Sequence, residues 1–130
     1  MPERPFASER TRRFRATELS GFNRKEIGDI EQFGCQVLHV AGNEAGPPGF
    51  SYTIGIFDTR GRPEIIEVGL PQKTAHYLLN EAARRLRSGV DLSRGRHADM
   101  IGGVECEFRP VETKWVKRLM HGSNWYYRDT

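Results

Sequence analysis

Residues 49–70, "GFSYTIGIFDTRGRPEIIEVGL", decide the fold. They read as two strands joined by a tight loop. Phe50, Tyr52, Ile54 and Ile56 recur at the two-residue period of a strand, and Ile66, Val68 and Leu70 share a face on the return. Residues 58–62 make a five-residue turn containing Gly61. Pairing Ile56 with Glu64 puts both apolar rows on one side and sets Thr53 across from Glu67. The opposite side then carries Ser51, Thr53, Gly55, Glu67 and Gly69; a one-residue slip would undo this arrangement. Glycine inside a strand marks the close approach of something, either a ligand or a packed helix.

Working outward, "GFNRKEIGDIEQFG" is a helix. Asn23 is its expected cap, with Glu26 completing a capping box, Phe22 and Ile27 at the staple positions, and Gly34 as the stop. Ile27, Ile30 and Phe33 make its apolar face. "CQVLHVAG" is a strand and "NEAGPPG" a loop. After residue 70, "PQKTAHYLLNEAARRLRSG" carries the strongest helical pattern, with Ala75, Leu78, Leu79, Ala82 and Leu86 in one stripe. Residues 90–103 read as an irregular basic connection and "VECEFRPV" as a strand with Val104, Cys106 and Phe108 inward. "ETKWVKRLMHG" suits a short helix burying Trp115, Val116 and Leu119. "NWYYRDT" carries three aromatic residues that water disfavours, so this tail is expected to dock. Three strands before the main helix, joined by short turns, give an α+β class: a small, mostly antiparallel sheet with one layer of helices packed on it.

Composition sets the outer limits. The chain has 130 residues, 37% hydrophobic and 28% charged, enough for one domain with its own core. No apolar run approaches the roughly 18 residues of a membrane span, and the N-terminus lacks a secretory h-region. Cys35 and Cys106 lie in apolar strands, which favours buried thiols and a cytoplasmic setting; a disulfide between them stays open. The net charge of +3 is uneven: residues 1–25 hold seven Arg/Lys against three Glu, the remainder thirteen against fourteen Asp/Glu. Residues 1–21 therefore read as a disordered or arm-like basic segment, and residues 22–130 as a single globular domain.

"FSYTIGI", "RPEIIEVGL" and "AHYLLNEAARRLRSG" together resemble the bacterial family called domain of unknown function 4262. The matching positions are Tyr52, Thr53, Ile54, Gly55, Pro63, Glu64, Gly69, Leu70, Leu78, Leu79 and Asn80. The resemblance runs from about residue 23 to the end, with Cys35 where the family tends to have Trp. The family pattern continues past "WYYRDT" with another apolar strand, so the resemblance implies that the domain lacks a final strand here. Either the protein is short by nature or the sequence is cut. A missing strand would leave a sheet edge open to a protein partner or a second copy. The resemblance implies a fold and carries no activity.

The candidate chemistry lies on the polar face of residues 49–70. A ligand floor there would use Thr53, Gly55 and Gly69, with Glu67 as acceptor or base; His76 and Asn80, one helical turn apart, would edge the pocket. Glu67 and His76 are the catalytic candidates; Thr53, Gly55, Gly69 and Asn80 the ligand-binding ones. The competing reading is that the 71–88 helix covers this face, with the glycines admitting it. Cys35, His39 and Cys106 are the nearest approach to a metal set, but no paired metal motif exists, so no metal and no cofactor are expected. No nucleophile elbow, phosphate loop or dinucleotide fingerprint occurs. Arg84, Arg85, Arg87, Arg94, Arg96 and His97 read as a solvated basic face. The leading expectation is a binding or regulatory interaction module. The alternatives are a small-ligand binder or enzyme on the Thr53/Glu67 face, and, least favoured, nucleic-acid contact through the basic arm. No membrane role is expected.

Overall fold

The computed structural model describes residues 4–128. The elements run α1 (Glu9–Arg15), α2 (Gly21–Phe33), β1 (Gln36–Val40), β2 (Phe50–Ile54), α3 (Ile56–Arg60), β3 (Ile66–Val68), α4 (Gln72–Arg87), β4 (Arg96–Ile101), β5 (Val104–Glu107), α5 (Thr113–Leu119) and α6 (His121–Tyr126). β1, β2 and β3 form an antiparallel sheet in that order; β4, which lies in the stretch read as irregular, pairs with β5, the strand expected from residue 104, as a separate hairpin. The α+β class and the antiparallel sheet are as expected.

The helices, expected as one layer, divide between the two faces of the three-stranded sheet. Strand alternation explains this. Tyr52 and Ile54 point into one apolar cluster with Phe14, Ile27, Ile30, Met120 and Tyr126. The cluster on the α4 side holds Leu78, Ala82, Ala83 and Leu86 with Cys35, Ile56, Leu92 and Met100. α4 packs on β1 and β2, and on that side Ser51 and Thr53 are buried. The long helix therefore does cover the polar face of residues 49–70.

The register differs from the expected one by two residues. Ser51, not Thr53, stands across from Glu67, and Tyr52 pairs with Ile66. A shift of two keeps every side chain on its expected face. Its cause is α3: residues 56–60 coil into a helical turn instead of extending β2, so the strands meet further from the loop.

α2 starts earlier than the sequence suggests. Ser20 caps it by accepting from the Asn23 backbone N–H at 3.2 Å. Glu26 is thereby free of a capping role; its side chain turns inward and is fully buried. Phe22, expected at a staple position, and Phe33, expected on the apolar face, are more than half exposed, while Ile27 and Ile30 are fully buried. In the C-terminal part Tyr126 docks in the core as the aromatic tail implied, whereas Trp115 and Val104 stay exposed.

The basic N-terminal segment is an ordered, docked arm over its described residues. α1 begins at Ser8, whose side chain accepts from the Thr11 N–H while Thr11 Oγ1 accepts from the Ser8 N–H. Phe14 inserts into the core against Trp125 and Tyr126, with ring centroids at 4.6 and 5.4 Å. Arg15 forks onto Glu31 at 2.6 and 2.9 Å. Aromatic burial plus a charge-assisted pair holds a segment whose overall composition is polar.

Candidate functional site

The residues singled out on the polar face do not converge. Thr53 is fully buried; its hydroxyl donates to Glu64 Oε1 at 2.9 Å and accepts from the Ile65 N–H at 2.9 Å. Glu67 accepts from the Leu70 N–H at 3.1 Å through Oε2, and its Oε1 is buried without a partner. Beside it Ser51 shares a 2.7 Å hydrogen bond with His39 Nδ1, so His39, Ser51 and Glu67 form a row across the sheet. His76 and Asn80 are exposed on α4, away from the helix's buried stripe.

The two glycines have separate reasons. Gly55 has φ +107°, and a Cβ there would meet Ile30 at 3.0 Å, so the close approach comes from α2 and not from α4. Gly69 has φ +95° and open space around it, which makes its requirement one of backbone shape.

A different constellation gathers at α3, built on Glu64. Its carboxylate accepts from the backbone N–H groups of Gly55, Ile56 and Phe57, each at 3.1 Å, from Thr53, and from the Tyr127 hydroxyl. The first turn of α3 has no side-chain cap of its own, and Glu64 supplies one from the loop that follows the helix. Burial pushes the Glu64 pKa up, and the hydrogen bonds from Tyr127, Phe57, Thr53 and Ile56 pull against it. Tyr127 also accepts from the Asp58 N–H at 3.2 Å. Asp58 in turn accepts from Ser8 Oγ at 2.6 Å and Tyr126 OH at 2.9 Å, and Arg10 pairs with it at 3.7 Å. Burial, the adjacent carboxylates and the hydrogen bonds to them hold both tyrosines well above the usual phenol range. They are donors, not bases.

One side of this cluster opens to solvent. Pro5, Phe6, Ala7 and Ser8 face Asp58, Thr59 and Arg60 across a groove of about 320 Å³. Its walls mix a carboxylate, hydroxyls and a guanidinium with an aromatic ring, a lining suited to holding a polar or extended chain. Among the described residues no three His, Cys, Asp or Glu side chains are placed to hold a metal ion. Both cysteines are free thiols, and burial pushes Cys35 up to about 11, which leaves it a poor nucleophile.

Two of the arm's arginines reach backbone carbonyls of the domain. Arg4 donates to the Gly28 carbonyl at 2.8 Å and Arg10 to the Tyr126 carbonyl at 2.9 Å. On α4, Arg84 and Arg85 pair with Glu81. Sequence reasoning missed Asp58, Arg60, Phe6 and the anchoring part of Glu64. Asp58 and Arg60 looked like turn residues, and Glu64 carried only a family resemblance; the signal that could have found it is a carboxylate following Pro63, shortly after a strand ending in Gly55.

No helix among the described residues is long and apolar enough to cross a membrane. Comparison with curated proteins and with solved structures gives no match. The family model described as Domain of unknown function (DUF4262) matches residues 29–130, and the chain belongs to that family.

Proposed function

We propose that the protein acts by binding, as an interaction module, and that its binding face is the groove beside α3. The observation that carries this reading is the groove itself: about 320 Å³, open to solvent, with Asp58, Thr59 and Arg60 making one wall polar and that wall fastened through Asp58 and Glu64 to the core. A rigid floor of this kind limits the ordering cost of taking up an extended ligand. Panning a library of extended peptides against the whole chain tests it. Ligands should lose about tenfold or more in affinity with Arg60→Glu, where a guanidinium lines the groove, and be indifferent to Arg94→Glu, whose side chain is 88% exposed outside it. Ligands indifferent to Arg60→Glu, or no ligands at all, contradict the reading.

A second reading, a small-ligand site or enzyme on the Thr53/Glu67 face edged by His76 and Asn80, is favoured by one observation. Glu67 Oε1 is buried without a partner next to the hydrogen-bonded Ser51–His39 pair. A metabolite whose binding is lost in Glu67→Gln, with the fold intact, would support it; metabolite binding unchanged in that variant would count against it.

A further inference from the structure

Residues 4–8 precede the part of the chain that matches the family, yet they lie on it as a bound peptide would. Before the cap of α1 the segment makes one turn at residues 5–6, closed by the Ala7 N–H donating to the Arg4 carbonyl at 3.1 Å. It is held at both ends and in the middle. Arg4 donates to the Gly28 carbonyl at 2.8 Å, the Phe6 N–H to the Glu31 carbonyl at 2.7 Å, and Ser8 Oγ to Asp58 at 2.6 Å. The Phe6 ring sits between two guanidiniums, Arg60 at 5.2 Å and Arg87 at 5.8 Å from its centroid. Its seat is Gly34, where a Cβ would come within 3.3 Å of the ring. Gly34 also ends α2 in the left-handed region, and Thr59 donates to its carbonyl at 2.7 Å, so the seat is tied to the groove wall.

We infer that Gly34, Arg60 and Arg87 form a receptor for the aromatic side chain of a peptide that turns at that residue, with Asp58 receiving a hydroxyl two residues later, and that the chain's own Phe6 and Ser8 occupy it in cis. The partner is a peptide segment carrying phenylalanine in a turn, followed two residues on by serine or threonine. The inference rests on the binding-module reading; it places the ligand where residues 5–8 now form one wall of the groove. A ring near two guanidiniums gains cation–π energy that an aliphatic side chain does not. A covalently attached occupant acts at an effective concentration on the order of millimolar, so a free peptide competes poorly until the cis segment is weakened.

The test uses the full chain and a fluorescent peptide with the sequence of residues 2–9, "PERPFASE". Phe6→Ala, checked for native fold by circular dichroism, should bind this peptide about tenfold or more tighter than the wild type. The same peptide with alanine for its phenylalanine should lose about tenfold on that variant, as should the intact peptide when Arg60→Ala and Arg87→Ala are added. Equal binding to Phe6→Ala and wild type, or equal binding of the two peptides, overturns the inference. If Phe6→Ala does not fold, para-fluorophenylalanine at position 6 of the otherwise wild-type chain replaces it. Excess peptide should move its fluorine resonance to the solvent-exposed position, and an unmoved resonance overturns the inference. Should library ligands depend on Arg60 while this peptide stays silent in every arm, the groove reading stands and the aromatic receptor falls.

Discussion

Two regions of this small domain bury a glutamate, and they treat it in opposite ways. Where β2 gives way to α3, Glu64 is met by three backbone N–H groups and two hydroxyls. Where α2 packs near α6, Glu26 is fully buried and neither carboxylate oxygen has a partner. Its surroundings are Ile54, the Tyr52 hydroxyl and Gly122, where a Cβ would stand 2.9 Å from the Tyr52 oxygen and 3.4 Å from Glu26 Oε1. Burial alone raises Glu26 to about 7. The first glutamate fastens a wall of the groove to the core; the second leaves the fold sensitive to its charge. A buried carboxyl is thus no stability argument until its donors are known.

The largest effect expected from this contrast is on Glu64. Glu64→Ala strands the Thr53 and Tyr127 hydroxyls and the first N–H groups of α3, and should cost about 3–5 kcal/mol in urea unfolding. A loss below about 1 kcal/mol would mean that the hub is not structural. Glu26 should behave in reverse: Glu26→Leu is expected to stabilise by about 2–3 kcal/mol above pH of about 8. The sign follows from proton binding. The native pKa, about 7, lies above the ordinary value of 4.5, so between them the native state keeps a proton that the unfolded chain has released. Wild-type stability should therefore fall as pH rises through that window, by up to about 3 kcal/mol relative to Glu26→Gln, with the full loss present above it. Parallel pH profiles for the two chains would contradict this.

Smaller effects sharpen the same contrast through the tyrosine that lies beside each glutamate. Tyr127→Phe removes a donor from a carboxylate and should cost about 2 kcal/mol. Tyr52→Phe removes only the oxygen that accepts from the Gly122 N–H at 2.8 Å and should cost about 1 kcal/mol. Chemical denaturation of the two variants side by side checks the order, and a larger loss for Tyr52→Phe would reverse the account.

Sequence patterns at the helix and strand periods were legible because they record burial. The stripe Ala75, Leu78, Leu79, Ala82 and Leu86 is buried along α4 as read, and Tyr52 and Ile54 face the core. Local chemistry that serves distant partners was not legible. Residues 58–62 carry the composition of a turn, yet residues 56–60 are helical, with Glu64 coming back to cap the first turn. Glu26 fits a capping box as well as any residue in the chain until Ser20 takes the cap. Phe6 and Phe14 are two rings in a basic, polar stretch, and what orders them is a seat at Gly34 and a stack on Trp125 and Tyr126, formed by residues far away in sequence. The candidate site shifted for the same reason. Gly55 does mark a close approach, but Ile30 of α2 is what approaches, while His76 and Asn80 lie on the outer side of α4.

Amide chemical-shift mapping by NMR on the full chain, titrated with a ligand recovered from peptide panning, tests the central claim most directly. The account predicts that the largest shifts fall on Phe6, Ser8, Asp58, Thr59 and Arg60, the walls of the groove. Shifts concentrated on Ser51, Thr53, Glu67, His76 and Asn80, with the groove unmoved, would contradict it.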